Sequence, residues 1–386
     1  MRQGRQAVSW TRVITFGGAI IAFLIGSGFA TGQEIMQYFT SYGYWGVFGT
    51  GLAVLALMTY VCVEFLYVGQ TKQFARPSMI YQYYCGKYLG TFFDYFSIVF
   101  IFMSFMVMVS GMGALFEQHY SLPGYVGGAG LAVVAAMTVF FGLGRLVDVI
   151  GKVGPVIVAI AIGLGLWAVV RNPGGIAEGN AVLPDLAVTQ ASSNWFLAAL
   201  SYVGFCMLWL AAFLTAMGRT ARSRKEAVLG GAVGSVAFSA ACIVVGLGLL
   251  ANVAQVHGAE IPMLHLAANV SPLLADGFSL IIVAGIYTTA VPLLWTVASR
   301  VFADRSPRFK GLSVGLAALG CVLGLMVPFS TMINVVYVIN GYVGVLLLAL
   351  MLVRTTTRIL RRGSAPAPAA PPGPAAPTEA TAAVTA

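Results

Sequence analysis

Gly26-Ser27-Gly28-Phe29-Ala30-Thr31-Gly32-Gln33-Glu34 interrupts an apolar run in which Leu, Ile and Val are the expected residues. Three glycines, two hydroxyls, an amide and a carboxylic acid share this short stretch. Glycine costs a helix interior about 1 kcal/mol relative to alanine. An acid at mid-membrane costs roughly 2.5 kcal/mol or more. A segment that carries both does more than span. The stretch reads as a helix broken at mid-membrane, with its bare backbone groups forming a binding site.

The surrounding chain makes the membrane setting plain. Of 386 residues, 59% are hydrophobic and only 9% charged, with mean hydropathy +0.90; a soluble domain carries about 25% charged residues. The chain is an all-α polytopic membrane protein. Its net charge of +9 therefore belongs to loops at a membrane surface, and no nucleic-acid motif accompanies it. Cys62, Cys85, Cys206, Cys242 and Cys321 are scattered without metal-like spacing and read as small core residues. The first apolar run is too long for a signal peptide and has no convincing cleavage site, so it is expected to remain as the first span.

About 20 apolar residues cross a bilayer. By that measure ten transmembrane segments are expected, at 12–39, 44–69, 91–116, 123–142, 146–170, 194–217, 226–252, 274–300, 310–329 and 332–353. With residues 1–11 in the cytoplasm, 20 of the 21 Lys and Arg fall on the cytoplasmic side and only Arg171 outside. One helix more or fewer would scramble that division. Both termini are thus expected to be cytoplasmic. Residues 70–90 form a longer cytoplasmic connection; 171–193 and 253–273 form external loops, the second with room for a short capping or re-entrant helix. Beyond the basic stretch that starts at Arg354, the Pro/Ala-rich end of segment 354–386 cannot bury a core and is expected to be disordered.

Ten spans divide into 12–170 and 194–353, five each. An odd number per half sets the halves in opposite orientations, the topology of an inverted repeat common among secondary transporters. A break in the first span then predicts one in the sixth, where Ser201-Tyr202-Val203-Gly204-Phe205-Cys206 gathers hydroxyls and glycine at the matching depth.

These features resemble the LeuT fold of the amino acid–polyamine–cation superfamily, a 5+5 inverted repeat with helices 1 and 6 broken. More narrowly, GSGFATGQEIMQYF in the first span is similar to the signature of the YkvI-like branch of bacterial amino acid permeases. The resemblance covers residues 10–355. It implies a transporter, not an enzyme, in the bacterial cytoplasmic membrane. Its substrate would be an amino acid or related small amine, moved by symport with a sodium ion or a proton.

Unwinding a helix in lipid frees backbone groups that each cost several kcal/mol unpaired, and a bound solute can pair them. Gly26, Ser27 and Gly28 would hold a carboxylate, facing Ser201, Tyr202, Gly204 and Phe205 across the site. The competing reading is that such glycines only let helices pack closely. Glu34 lies where a half-helix dipole favours its anion; binding an amine, relaying a proton and capping the half-helix all fit, and Gln33 is a weaker member of the same network. In span three, Met103, Met106, Ser110 and Gly113 recur at helical spacing and would line the cavity or pack against neighbours.

The resemblance carries three further expectations. Glu64 of the second span would bond the first break, against the alternative of snorkelling to the interface. A sodium site would use the carbonyls of Ala22, Ile25 and Gly285 and the hydroxyls of Thr288 and Thr289, an oxygen set suited to a hard cation; back-bonding within the helix is the competing role for the threonines. Lys152 in span five would instead place an ammonium where sodium sits and carry protons, unless it snorkels beside Asp148. No other cofactor is implied. A membrane nutrient sensor that binds an amino acid without moving it is the alternative function. Binding without counterflow would distinguish it.

Overall fold

A computed structural model of the protein describes residues 8–141, 146–303 and 306–363; of residues 146–155 and 361–363 the backbone alone is described. The Pro/Ala-rich residues 364–386 lie outside the described residues. In chain order the helices are α1 (Trp10–Leu24), α2 (Ser27–Thr31), α3 (Gln33–Tyr38), α4 (Gly51–Lys72), α5 (Met79–Tyr120), α6 (Gly124–Phe141), α7 (Leu146–Arg171), α8 (Gly175–Val182), α9 (Trp195–Arg219), α10 (Arg224–Leu250), α11 (Val253–Val256), α12 (Pro262–Val270), α13 (Pro272–Val301), α14 (Pro307–Gly324) and α15 (Phe329–Gly363). No strand occurs among the described residues.

Seven of these helical stretches are long and apolar enough to cross a membrane alone, and an eighth span arises if the pair bent by 93° between Arg171 and Gly175 counts as one. The chain is therefore a multi-pass membrane protein. Two of the expected ten spans fall short of that measure for different reasons. The first is divided among α1, α2 and α3, and α14, 18 residues long like α6, carries Arg308 and Lys310 in its first turn, which lower its hydropathy.

Helix ends follow local chemistry. Asn194 accepts from the Phe196 and Leu197 amides at 3.1 and 3.0 Å, and Ser223, Ser271 and Ser306 each cap a following helix in the same way. The connection expected at 70–90 is shorter than the sequence suggests. Helix resumes at Met79 and turns at Gly86, whose φ of 75° and ψ of −177° suit glycine alone.

Close glycine contacts then set the bundle. A Cβ on Gly204 would lie 2.1 Å from the Gly341 carbonyl oxygen, one on Gly218 2.4 Å from that of Leu66, and one on Gly234 3.0 Å from the Gly17 Cα. Backbones that approach this closely are how helices pack when lipid competes for every apolar surface. These contacts run α4, α9 and α15 in one direction, and α1 and α10 in the other. Arg12, at the start of α1, meets the α9–α10 turn through the Thr220 carbonyl and Glu226. That end of the bundle also carries Lys72, Arg219, Arg224, Arg354 and Arg358 and is the basic end.

The opposite end is covered by the chain between α10 and α13. Gln118 of α5 exchanges two bonds with the Ile261 backbone, at 2.9 and 3.2 Å. Glu260 accepts from the amide and hydroxyl of Ser330 at the start of α15, at 2.7 and 2.9 Å. Gln37 of α3 donates to the Ser330 carbonyl at 2.8 Å and accepts from Asn334 at 3.2 Å. The short helices α11 and α12 thus form the capping element expected in 253–273.

Candidate functional site

Helix α1 stops at Leu24. Ile25 (φ −86°, ψ 94°) and Gly26 (φ −102°, ψ −166°) are extended, and the helix restarts at Ser27. A second interruption follows at Gly32, whose φ of 83° requires the left-handed region and so favours glycine. The Thr31 hydroxyl bridges it, donating to the Gly28 carbonyl at 3.2 Å and accepting from the Gln33 amide at 3.3 Å. The first amides of α2 and α3 have no partner within their own short helices. Ser27 is fully buried and its hydroxyl is unpartnered.

Glu34, in the first turn of α3, is 2% exposed and accepts from the Tyr202 hydroxyl at 2.6 Å. Its other face is against Gly28, where a Cβ would stand 2.5 Å from Oε2. One carboxylate therefore ties α2, α3 and α9 together. The Tyr202 hydroxyl also lies 3.7 Å from Cys242 Sγ on α10.

Beside this pair the side chains become aromatic. Tyr38 meets the Tyr202 ring edge-on at 5.2 Å, Phe205 stacks on Tyr337 at 4.7 Å, and Trp209 stacks on Phe100 at 5.5 Å. Within that apolar wall several polar atoms are buried and unpartnered: the hydroxyls of Tyr38, Ser201 and Tyr337, and Asn340 Oδ1. Tyr38 and Ser201 are neighbours across this wall. Buried polar groups are nearly always bonded, so such a cluster beside a broken helix suits a polar guest with an apolar part.

Three placements correct the sequence reading. Helix α9 runs unbroken from Trp195 to Arg219, so the sixth span has no break in this structure. Gly204, read as the seam of that break, is instead the contact point with Gly341 and Gly344 of α15. Small residues at this depth serve close packing here, and the helix keeps its own hydrogen bonds. Ser201, Tyr202 and Phe205 nevertheless sit opposite the first break on an intact helix, as the contacts of Glu34 and Tyr38 show.

Glu64 is the second correction. Its carboxylate takes Tyr84 at 2.9 Å, Thr355 at 3.2 Å and Arg358 at 2.9 Å. Those partners lie at the basic end, and the arginine supplied by α15 settles where the acid goes. The third correction concerns span three. Met108 Cε would be 3.3 Å from a Cβ on Gly26, and Gly111 faces Ser27 and Phe329. Met108 and Gly111 therefore lie against the break, Met103 reaches the same wall with its Sδ 4.0 Å from Asn340 Nδ2, and the Met106 carbonyl lies against Gly324 of α14. Ser110 and Gly113 instead line a cavity of about 680 Å³ at the opposite end, with Glu117 and Glu260.

The threonine pair is seen in one of its two expected roles. Thr288 and Thr289 both donate to the Gly285 carbonyl, at 3.1 and 3.0 Å, which is the back-bonding role. Each hydroxyl oxygen keeps lone pairs that a cation could use. Gln33 is buried with an unpartnered Oε1 and lines a small cavity of about 160 Å³ with Gln37, Glu260 and Ser330. Lys152 and Asp148 lie outside the residues whose side chains are described.

Tyr38, Met108, Tyr337 and Asn340 were missed from the sequence. An amide in the middle of an apolar span, as in Tyr337-Val338-Ile339-Asn340-Gly341, was the available signal.

No family model matches the chain. Two Bacillus subtilis (strain 168) proteins are similar along most of its length. The uncharacterized protein YyaD is 24% identical over 343 residues, 86% of this chain and 94% of its own length. The uncharacterized membrane protein YkvI is 21% identical over 353 residues, 88% and 94%. Among solved structures, MhsT in complex with L-phenylalanine superposes with a TM-score of 0.60 at 16% identity, over 87% of this chain and 88% of MhsT. That likeness is one of fold.

Proposed function

We propose that the protein is a secondary active transporter for an amino acid or related small amine, working by alternating access around the first-span break. The observation that carries this reading is the extended Ile25–Gly26 segment beside a fully buried, unpartnered Ser27. Breaking a helix in a bilayer is costly unless something pairs the freed groups, and a zwitterion pairs both kinds. Amides of Ser27 and Gly28 suit the substrate carboxylate. Glu34 suits its amine, and the rings of Tyr38, Tyr202, Phe205 and Tyr337 suit its side chain. The fold likeness to MhsT, bound there to L-phenylalanine, supports a transporter over an enzyme.

The finer parts of the reading are these. Ten crossings form a 5+5 inverted repeat in the bacterial cytoplasmic membrane with both termini inside. Coupling is to sodium or protons. A sodium ion would be held by the carbonyls of Ala22, Ile25 and Gly285 with the hydroxyls of Thr288 and Thr289. Glu34 and Lys152 are the residues that would carry a proton.

Uptake of radiolabelled amino acids into proteoliposomes, under an imposed sodium or proton gradient, tests the reading. Gradient-driven accumulation of at least one is expected. Binding across a broad panel without accumulation under either gradient would overturn transport and favour a membrane sensor.

A further inference from the structure

At the basic end, α4, the first turns of α5 and the last turns of α15 enclose a cavity of about 840 Å³. Its wall includes Lys72, Arg354, Arg358, Tyr67, Tyr83 and Tyr84. The turn at Gly86 sets residues 79–85 apart from the long shaft of α5 and brings Tyr83 and Tyr84 to this wall. The volume falls in the range of small-molecule sites, and the cavity is separate from the first-span break.

Two of the cations in this wall, Lys72 and Arg354, are held by rings rather than by acids, while Arg358 is held by both. Arg354 Cζ lies 4.6 Å from the Tyr83 ring centre and Lys72 Nζ lies 5.7 Å from it. Arg358 Cζ lies 5.4 Å from the Tyr67 ring centre. Such contacts fix the flexible stems without neutralising the charge. The nearby acid is Glu64, which is buried and already takes Tyr84, Thr355 and Arg358. Lys72 and Arg354 have no ion pair among the described residues. Three positive charges and one satisfied carboxylate leave the cavity short of negative charge.

We propose that this cavity binds a phosphate-bearing anion, with Arg354 and Lys72 as its principal ligands and Arg358 supporting them while holding Glu64. Arginine offers a fork of donors matched to phosphate oxygens, and lysine adds a point charge. A phospholipid headgroup at the membrane surface and a soluble phosphate share this chemistry. A bound anion would also join α15 to α4 and the first turns of α5 across the Glu64–Arg358 bridge.

The test uses the full chain in nanodiscs of phosphatidylcholine alone or with phosphatidylglycerol. Inorganic phosphate is added to the former against chloride at equal ionic strength, and thermal unfolding and lipid retention are read. Lys72→Gln/Arg354→Gln removes two exposed ligands, and Arg219→Gln/Arg308→Gln removes the same charge away from the cavity. Each basic residue near a membrane surface contributes about 1 kcal/mol toward an anion, so the first pair should weaken binding about thirtyfold. Stabilisation by phosphatidylglycerol that only the cavity pair abolishes identifies a lipid headgroup. Stabilisation by inorganic phosphate that only the cavity pair abolishes identifies a soluble anion. The proposal fails if neither probe stabilises the protein, or if wild type and both variant pairs respond alike.

Discussion

Glu34 keeps its carboxylate between the Tyr202 hydroxyl, 2.6 Å away, and the bare Cα of Gly28. That geometry separates roles the residue type alone leaves joined. Tyr202→Phe removes the donor and should destabilise the protein by about 1.5–3 kcal/mol, the usual worth of a hydrogen bond to a charged group, as a lowered unfolding midpoint. Glu34→Gln keeps an acceptor for Tyr202, so its fold should survive while uptake falls at least tenfold; full uptake would mean that Glu34 only fastens the helices. Gly28→Ala pushes a methyl against the same carboxylate. Its effect should be coupled to Glu34→Ala by about 0.5–3 kcal/mol in a double-mutant cycle; simple additivity would show that the two do not touch.

Among the elements, the interrupted first span depends on two glycines in unequal ways. Gly26 is extended, a conformation open to any residue, and faces only the terminal methyl of Met108 at 3.3 Å from a built Cβ. Gly32 is left-handed, and a Cβ there would stand 2.5 Å from Met263 Cγ of α12. Gly26→Ala should therefore cost less than about 1 kcal/mol, because methionine can swing away. Gly32→Ala should cost about 2 kcal/mol or more, since the backbone penalty alone is roughly 1–2 kcal/mol. Thermal unfolding of the two variants in one lipid decides the order. On α9, Gly204→Ala drives a methyl into the Gly341 carbonyl and should cost about 1–3 kcal/mol as overpacking. Substrate affinity of the folded protein should be unchanged, because the glycine serves the α9–α15 seam.

For the whole molecule, the distribution of charge predicts an orientation that labelling can check. Glu178 on α8 and Arg308 on α14 are both exposed; Cys62, Cys206 and Cys242 are buried, and the half-buried Cys85 and Cys321 are replaced by serine for the test. In intact cells, an impermeant thiol reagent should label Glu178→Cys at once and Arg308→Cys only after permeabilisation. The reverse pattern would invert the topology.

Composition, length and the clustering of Lys and Arg made the membrane class and the helical segments legible, because a bilayer leaves backbone no option but internal hydrogen bonds. Gly26-Ser27-Gly28 likewise declared the first break, because missing side chains and a hydroxyl stand there in an otherwise apolar run. The partners of those residues were decided by the packed bundle. Glu64 turned to Arg358, 294 positions away, and Ser201 and Gly204 stayed on an unbroken helix because α15 presents Gly341 to them. Span three turned Met108 toward the break. Helical periodicity is local and records only which residues share a face. Which neighbour that face meets depends on contacts between helices far apart in the chain, and there alone the site was completed.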